Sequence, residues 1–380
     1  MYKKSRGFSV LGYSICECSI NIQYQTMKRS YFLLPMYLLL SLIYLNLVSC
    51  GGINNTNIIS VEAQVDHPDT TKESPAALSP AVVPETAIAI DTAGYNKKML
   101  ELSNNDAAGK WPVKTVYPLP GAIFPDHRII AFYGNLYSKR MGILGEIPKD
   151  SMFKKLQQEV DAWQAADPSS KTIPALHYIA TTAQGAPGRD GKYRLRMPFH
   201  QIDTIVNWAK QINALVFIDI QVGHSTVKAE VPLFEKYLQM PNVHFGIDPE
   251  FSMKNGERPG SKIGTFSSDD INDAIDILAA IVRKNKLSPK VLVVHRFTQG
   301  MVTGYDKIKK VPEVQVVMDM DGFGAKVLKQ DTYRQYIYKE PVQFTGFKLF
   351  YKNDNAGKAE MFTPGELLQL TPRPVYIQYQ

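Results

Sequence analysis

The sequence predicts a (β/α)8 barrel over residues 122–380. Three observations carry this. Eight short runs rich in β-branched and aromatic residues are nearly continuous in apolar character, as strands buried on both faces of a parallel sheet must be. Amphipathic helical segments alternate with them. Carboxylates are missing from the starts of the runs and gather at their ends, where barrels of this kind place chemistry. A doubly wound open sheet is the alternative, but no glycine-rich phosphate loop follows the first run.

The strands read as 128–135, 175–182, 215–223, 243–251, 290–297, 314–324, 344–351 and 374–380. Between the first two, residues 151–166 place Phe153, Leu156, Val160 and Trp163 on one stripe, the spacing of a helix face. Residues 200–213 do the same with Ile202, Ile205, Val206 and Ala209. Residues 229–239 and 270–285 follow, the latter opened by Ser267, Ser268, Asp269 and Asp270, a helix-start signature. Weaker helical patterns cover 326–339 and 364–370, and residues 95–120 are ambiguous.

With 44% apolar and 21% charged residues, the composition is that of a globular chain. The net charge of +7 is in part local, because Lys3, Lys4, Arg6, Lys28 and Arg29 precede an apolar run. That placement marks translocation, and no basic helix with interleaved aromatics suggests a nucleic-acid partner. The cysteines, Cys16, Cys18 and Cys50, all precede the barrel, which therefore has neither a disulfide nor a cysteine metal site.

The N-terminus reads as an export signal over 27–50. Lys28 and Arg29 form a positive start, residues 31–48 an apolar core, and Leu47-Val48-Ser49-Cys50-Gly51 a small-residue boundary. This boundary resembles the lipobox of bacterial lipoproteins, which implies an acylated Cys50 inserted in a lipid bilayer and a location in the cell envelope. A transmembrane anchor is the alternative, but no positive stop-transfer cluster follows. Residues 1–26 fit no signal and suggest an over-extended start. Residues 51–92 are rich in Asn, Thr, Ser, Pro, Ala and Glu without a helical or strand period, the pattern of an extended linker.

Alternation along a strand puts residues two apart on one face. By that rule Asp219 and Gln221 share a face at the end of the third strand, Asp248 and Glu250 at the end of the fourth, and Asp319 and Asp321 at the end of the sixth. His295 and Arg296 end the fifth, Lys348 and Tyr351 belong to the seventh, His177 to the second and Tyr133 to the first. Buried charges are costly unless paired, so this convergence predicts a functional site. Asp219 is expected either to pair with Lys348 or Arg296 or to act in that site.

Paired carboxylates across a cleft suit glycosidic cleavage, one protonated as acid and one ionised. Glu250 is the candidate acid and Asp319 or Asp321 its partner, with Asp248 beside them. Tyr133, His177, Asp219, Gln221, His295, Arg296, Lys348 and Tyr351 are candidate substrate contacts. The expected partner is a glycan or other envelope polymer, with no cofactor. Metal-assisted hydrolysis is an alternative, because Asp219, Asp248, Glu250, His295, Asp319 and Asp321 could ligate a divalent ion. A non-catalytic carbohydrate- or envelope-binding lipoprotein is another.

The segments IAFYGN, GILGE, IDPEF, VVHRF and MDMDGFG, in this order, resemble a family of bacterial secreted lipoproteins over roughly residues 128–351. The resemblance implies the same domain limits and a site at Glu146, Asp248, Glu250, His295 and Asp321, and it supplies no reaction. The chain departs from the family at Phe251, where tryptophan is common, and at Arg296, where glutamine is usual.

Overall fold

The computed structural model describes residues 90–357 and 359–380; the export signal, Cys50 and the linker up to residue 89 lie outside them, and the last linker residue, Thr92, already begins a helix. Eight parallel strands close into a barrel: β1 (His127–Gly134), β2 (Lys171–Ala183), β3 (Leu215–Ile220), β4 (Val243–Ile247), β5 (Lys290–Arg296), β6 (Val314–Met320), β7 (Phe344–Leu349) and β8 (Tyr376–Tyr379). Each pairs with the next, and β1 pairs with both β2 and β8, so the sheet has no free edge within the barrel.

Four longer helices accompany the strands: α1 (Thr92–Leu102), α2 (Lys149–Ala166), α3 (Phe199–Gln211) and α4 (Ser268–Asn285). The start of α4 is written in its sequence. Ser267 accepts from the backbone N–H of Asp270, and the Asp270 carboxylate answers at the N–H of Ser267. Its stripe of Ile271, Ala274, Ile275, Leu278 and Val282 is buried against the barrel. On α2 the buried stripe is Met152, Leu156, Val160 and Trp163, with Phe153 only half-buried.

Two helical expectations change. Residues 229–239 are not one helix: Pro232 lies within a 3-10 turn, Val231–Phe234, between the short pieces Val227–Glu230 and Glu235–Leu238. A proline there removes a backbone donor and disrupts regular helical hydrogen bonding. Residues 326–339 form α5 (Lys326–Thr332), which widens into a π-turn over Tyr333–Tyr338. The ambiguous segment before the barrel forms α1, whose Tyr95, Met99 and Leu102 pack with Phe124, Ile129, Ala131, Phe217 and Phe344. That contact closes the N-terminal end of the barrel with apolar side chains.

The loop after β2 turns back as a short antiparallel strand, Arg194–Arg196, paired with Thr181–Ala183. Arg194 donates to the fully buried Glu230 at 2.6 Å and Arg196 at 2.8 and 3.0 Å. This pins the loop beside the segment that follows β3.

Candidate functional site

Alternation in the closed barrel decides which side chains meet. Tyr133 and His177 are register partners on β1 and β2, His295 and Asp319 on β5 and β6, and Lys348 and Gln378 on β7 and β8. Asp219 has a glycine, Gly246, as its neighbour on β4, and Asp319 has Gly346 on β7. These glycines make the space. A Cβ on Gly246 would lie 2.5 Å from Asp219 Oδ1 and 2.6 Å from His177 Nε2, and one on Gly346 would lie 2.5 Å from Asp319 Oδ1.

The resulting cluster is buried. His177, Asp219, His295 and Asp319 have no exposed surface, and Asp248 and Lys348 retain about 3% each. Tyr133 Oη donates to Asp219 Oδ2 at 2.9 Å. His177 Nδ1 meets Tyr376 Oη at 2.5 Å, with Gln378 Nε2 at 3.1 Å from the same nitrogen. Lys348 Nζ pairs with Asp321 at 3.0 Å and sits 3.9 Å over the Tyr133 ring. His295 Nδ1 lies 3.1 Å from Asp321 and 3.5 Å from Asp319. Gln221 donates to Asp248 Oδ2 at 3.1 Å and accepts from the Ala183 N–H, stitching the ends of β2, β3 and β4 together.

Burial and neighbouring charges sort the ionisable groups. Burial pushes His177 down to about 4, so its 3.5 Å approach to Asp219 is not an ion pair at neutral pH. Burial opposes a charged His295, but Asp219 and Asp321 outweigh it and hold the ring well above its ordinary value. Asp219 stays well below the carboxylate range against its burial, because His295 and His177 flank it. Burial raises Asp319 to about 7, with Asp321 adding to the effect. Asp248 rises to about 6, chiefly by burial. Asp321 falls despite burial, held by Lys348 and His295.

The sequence reading requires four corrections. Asp219 pairs with neither Lys348 nor Arg296; its partners are His177, His295 and Tyr133. Arg296 does not join the cluster, because it follows His295 and so points to the other side of β5. There it binds Glu340 at 2.5 Å and the carbonyls of Thr298, Gln299, Val302 and Tyr336. Tyr351 lies past the end of β7 and turns toward α2, where it donates to Glu159 at 2.7 Å. Asp248 and Glu250 do not share a strand face, since β4 ends at Ile247 and residues Pro249–Phe251 form a 3-10 turn. Asp248 instead accepts from the Glu250 N–H at 2.9 Å, and Glu250 stands half-buried beyond it.

Glu146 also stands apart from the cluster, in an ion pair with Lys352. Tyr376 and Gln378 escape the sequence reading although both reach His177. Their two-residue spacing on β8, on the face that meets β7 at Gly346 and Lys348, is the signal that could have found them. A cavity of about 780 Å³ between α5 and residues 105–107 contains none of these groups. Another, of about 380 Å³, is lined by His224, Ser252, Lys254 and Asp270 beside the loop after β4.

The fold and site define a closed (β/α)8 barrel with a buried polar cluster at the C-terminal ends of its strands. No family profile and no curated protein matches the sequence. Among solved structures the chain is similar to a cellulase, Cel5C_n, at 12% identity over 70% of this chain and 79% of that one, with a TM-score of 0.41. It is also similar to XEG5A, a GH5 xyloglucan-specific endo-β-1,4-glucanase from a metagenomic library, at 10% identity over 75% and 89%, TM-score 0.35. A third is oxaloacetate acetylhydrolase, at 13% identity over 67% and 75%, TM-score 0.34. These are likenesses of barrel fold, shared across unlike chemistries.

Proposed function

We propose that this chain is a lipid-anchored hydrolase of the cell envelope, acting on a glycan at the C-terminal mouth of its barrel. The observation that carries the reading is the convergence of Asp219, Asp248, Asp319, Asp321, His177, His295 and Lys348 at one end of a closed barrel, almost wholly out of water. Keeping so many ionisable groups there costs stability even when they are paired, and the strand ends of such a barrel are where that cost serves chemistry. The outermost carboxylates do the bond-breaking. Glu250, half-buried on the turn after β4, gives its proton to the leaving oxygen. Asp321, kept ionised by Lys348 at 3.0 Å, is its partner. Asp248 fixes the Glu250 backbone, and the 59% exposed ring of Phe323 offers a face on which a sugar can stack. The Cys50 segment supplies the anchor; among the described residues no helix is long and apolar enough to cross a membrane.

The test is a screen of the full chain against glycans and peptidoglycan, followed by Glu250→Gln and Asp321→Asn on whichever substrate is cut. Loss of an acid or base group is expected to lower turnover by roughly 100-fold or more while binding persists. Absence of cleavage across the screen, or undiminished turnover in both variants, refutes the reading. The alternative with a metal rests on one separate observation, the meeting of His177, Asp219 and His295 in the barrel interior.

A further inference from the structure

The geometry points to a divalent metal site of the zinc class inside the barrel, formed by His177 Nε2, Asp219 Oδ1 and His295 Nε2. Asp219 Oδ1 lies 3.5 Å from His177 Nε2 and 3.7 Å from His295 Nε2, and the three donor atoms all fall within 4.8 Å of one another. Those separations are too long for hydrogen bonds, which need about 2.7–3.2 Å. The two separations from Asp219 are close to those of ligands of one ion, since donors about 2.0–2.2 Å from a tetrahedral zinc stand roughly 3.3–3.6 Å apart.

All three atoms are buried and have no hydrogen-bond partner among the described residues. Several unsatisfied polar atoms facing one another in an interior call for a missing occupant. Water is the simple one, but the charge argues for more. Asp219 is fully buried, and among the described residues its ion-pair partners are histidines, without a lysine or arginine. A buried carboxylate needs a cation beside it, and a divalent ion can take that place from the proton that otherwise rests on His295.

The outer atoms of Asp219 and His177 are hydrogen-bonded as those of metal ligands are, and a carboxylate stands beside that of His295. Tyr133 Oη donates to Asp219 Oδ2 at 2.9 Å. Asp321 Oδ2 lies 3.1 Å from His295 Nδ1. Tyr376 Oη lies 2.5 Å from His177 Nδ1. Metal binding fixes His177 as the tautomer that donates from Nδ1 to Tyr376 Oη, leaving the Nε2 lone pair for the ion. The Gln378 amide then turns its oxygen, which now has no partner, toward that hydroxyl. Gly246 keeps the space clear, since a side chain there would meet two of the three donor atoms. Two imidazoles and one carboxylate select a borderline ion such as zinc over calcium or magnesium, which take oxygen ligands. Three protein donors leave a further position for water.

This site stands whether or not the barrel cleaves a glycan, and its test reads binding alone. The full chain is stripped with chelator, reloaded with zinc or cobalt, and assayed for metal content and for the visible absorption of tetrahedral cobalt. One ion per chain is expected, with Kd below about 1 µM. His177→Ala and His295→Ala are expected to weaken it at least 100-fold. Two variants keep all three donors: Gly246→Ala, which crowds two of them, and Tyr133→Phe, which frees Asp219 and is expected to weaken binding roughly 10- to 100-fold. Circular dichroism confirms that each variant is folded. Failure of the wild-type chain to bind zinc or cobalt stoichiometrically overturns the site. So does wild-type affinity in a folded ligand variant. A chain that binds one zinc and cuts no glycan refutes only the hydrolase reading.

Discussion

Lys290 opens β5 with no exposed surface, and its ammonium has one hydrogen bond, to the Met240 carbonyl at 2.6 Å. Burial lowers its pKa from 10.5 to about 7, a fall equivalent to roughly 4–5 kcal/mol against the charged form. The sign follows from proton linkage. Below pH 7 the lysine is charged in both folded and unfolded chains, so the full penalty acts. Between about 7 and 10 the unfolded chain holds more protons than the folded one, and stability rises with pH. Above the unfolded value the penalty is gone. Lys290→Met removes the buried charge and also the bond to Met240, the latter a loss of about 1 kcal/mol. The variant is therefore expected to be more stable than the parent at pH 6, by about 2–4 kcal/mol, and slightly less stable at pH 10. At about 2–4 °C per kcal/mol for a domain of this size, thermal melts at pH 6, 8 and 10 resolve the difference and its change of sign. A variant that is less stable at pH 6, or a difference that does not move with pH, refutes the reasoning.

Two further perturbations separate scaffold from site. Glu230→Ala leaves Arg194 and Arg196 without their shared buried carboxylate, and removing one member of a buried ion pair typically costs about 3–5 kcal/mol; a melt lowered by less than about 5 °C would show that the pair does not anchor the loop after β2. Arg296→Ala is expected to lower the melt similarly by removing the cation paired with Glu340 and a donor to four carbonyls, while the cobalt spectrum stays that of wild type. A spectrum altered in a folded Arg296→Ala chain would return that residue to the site.

The barrel was legible because its strands carry their own signature. A strand covered on both faces has to be apolar throughout, and β4, β5 and β6 read that way without help from their neighbours. The elements that escaped depend on local backbone chemistry or on tertiary contact. Pro232 breaks a pattern whose apolar spacing is otherwise helical. Residues 92–102 earn a place in the fold only by covering the barrel floor, which no periodicity reports.

The site was legible in its membership and less so in its pairing. The period-2 rule separates His295 from Arg296, since consecutive strand residues face opposite ways; applied strictly, it would have excluded the arginine. The same rule fails one residue past a strand end, which is why Asp248 and Glu250 part company where β4 gives way to a 3-10 turn. Partner choice is harder, because it depends on which strands lie across the barrel. Asp219 on β3 reaches His295 on β5 over Gly246, a residue with no side chain to announce its part in the site.

Depth then divides the labour among these groups. His177, Asp219, His295 and Asp319 lie in the closed interior, where no polymer reaches them directly. Glu250 and Asp321 stand further out, and each is tied inward: Glu250 through its backbone to Asp248, Asp321 through its carboxylate to His295 and Lys348. A change in charge at the interior, such as loading a divalent ion beside His295, therefore acts on the rim through Asp321. The ion would take the place of the proton on His295 Nε2, leaving the Nδ1–H facing Asp321 and more polarised, with Lys348 still the carboxylate's ion-pair partner. Interior and rim are thus one electrostatic unit, in which the occupant of the inner layer sets how strongly the outer carboxylate is held.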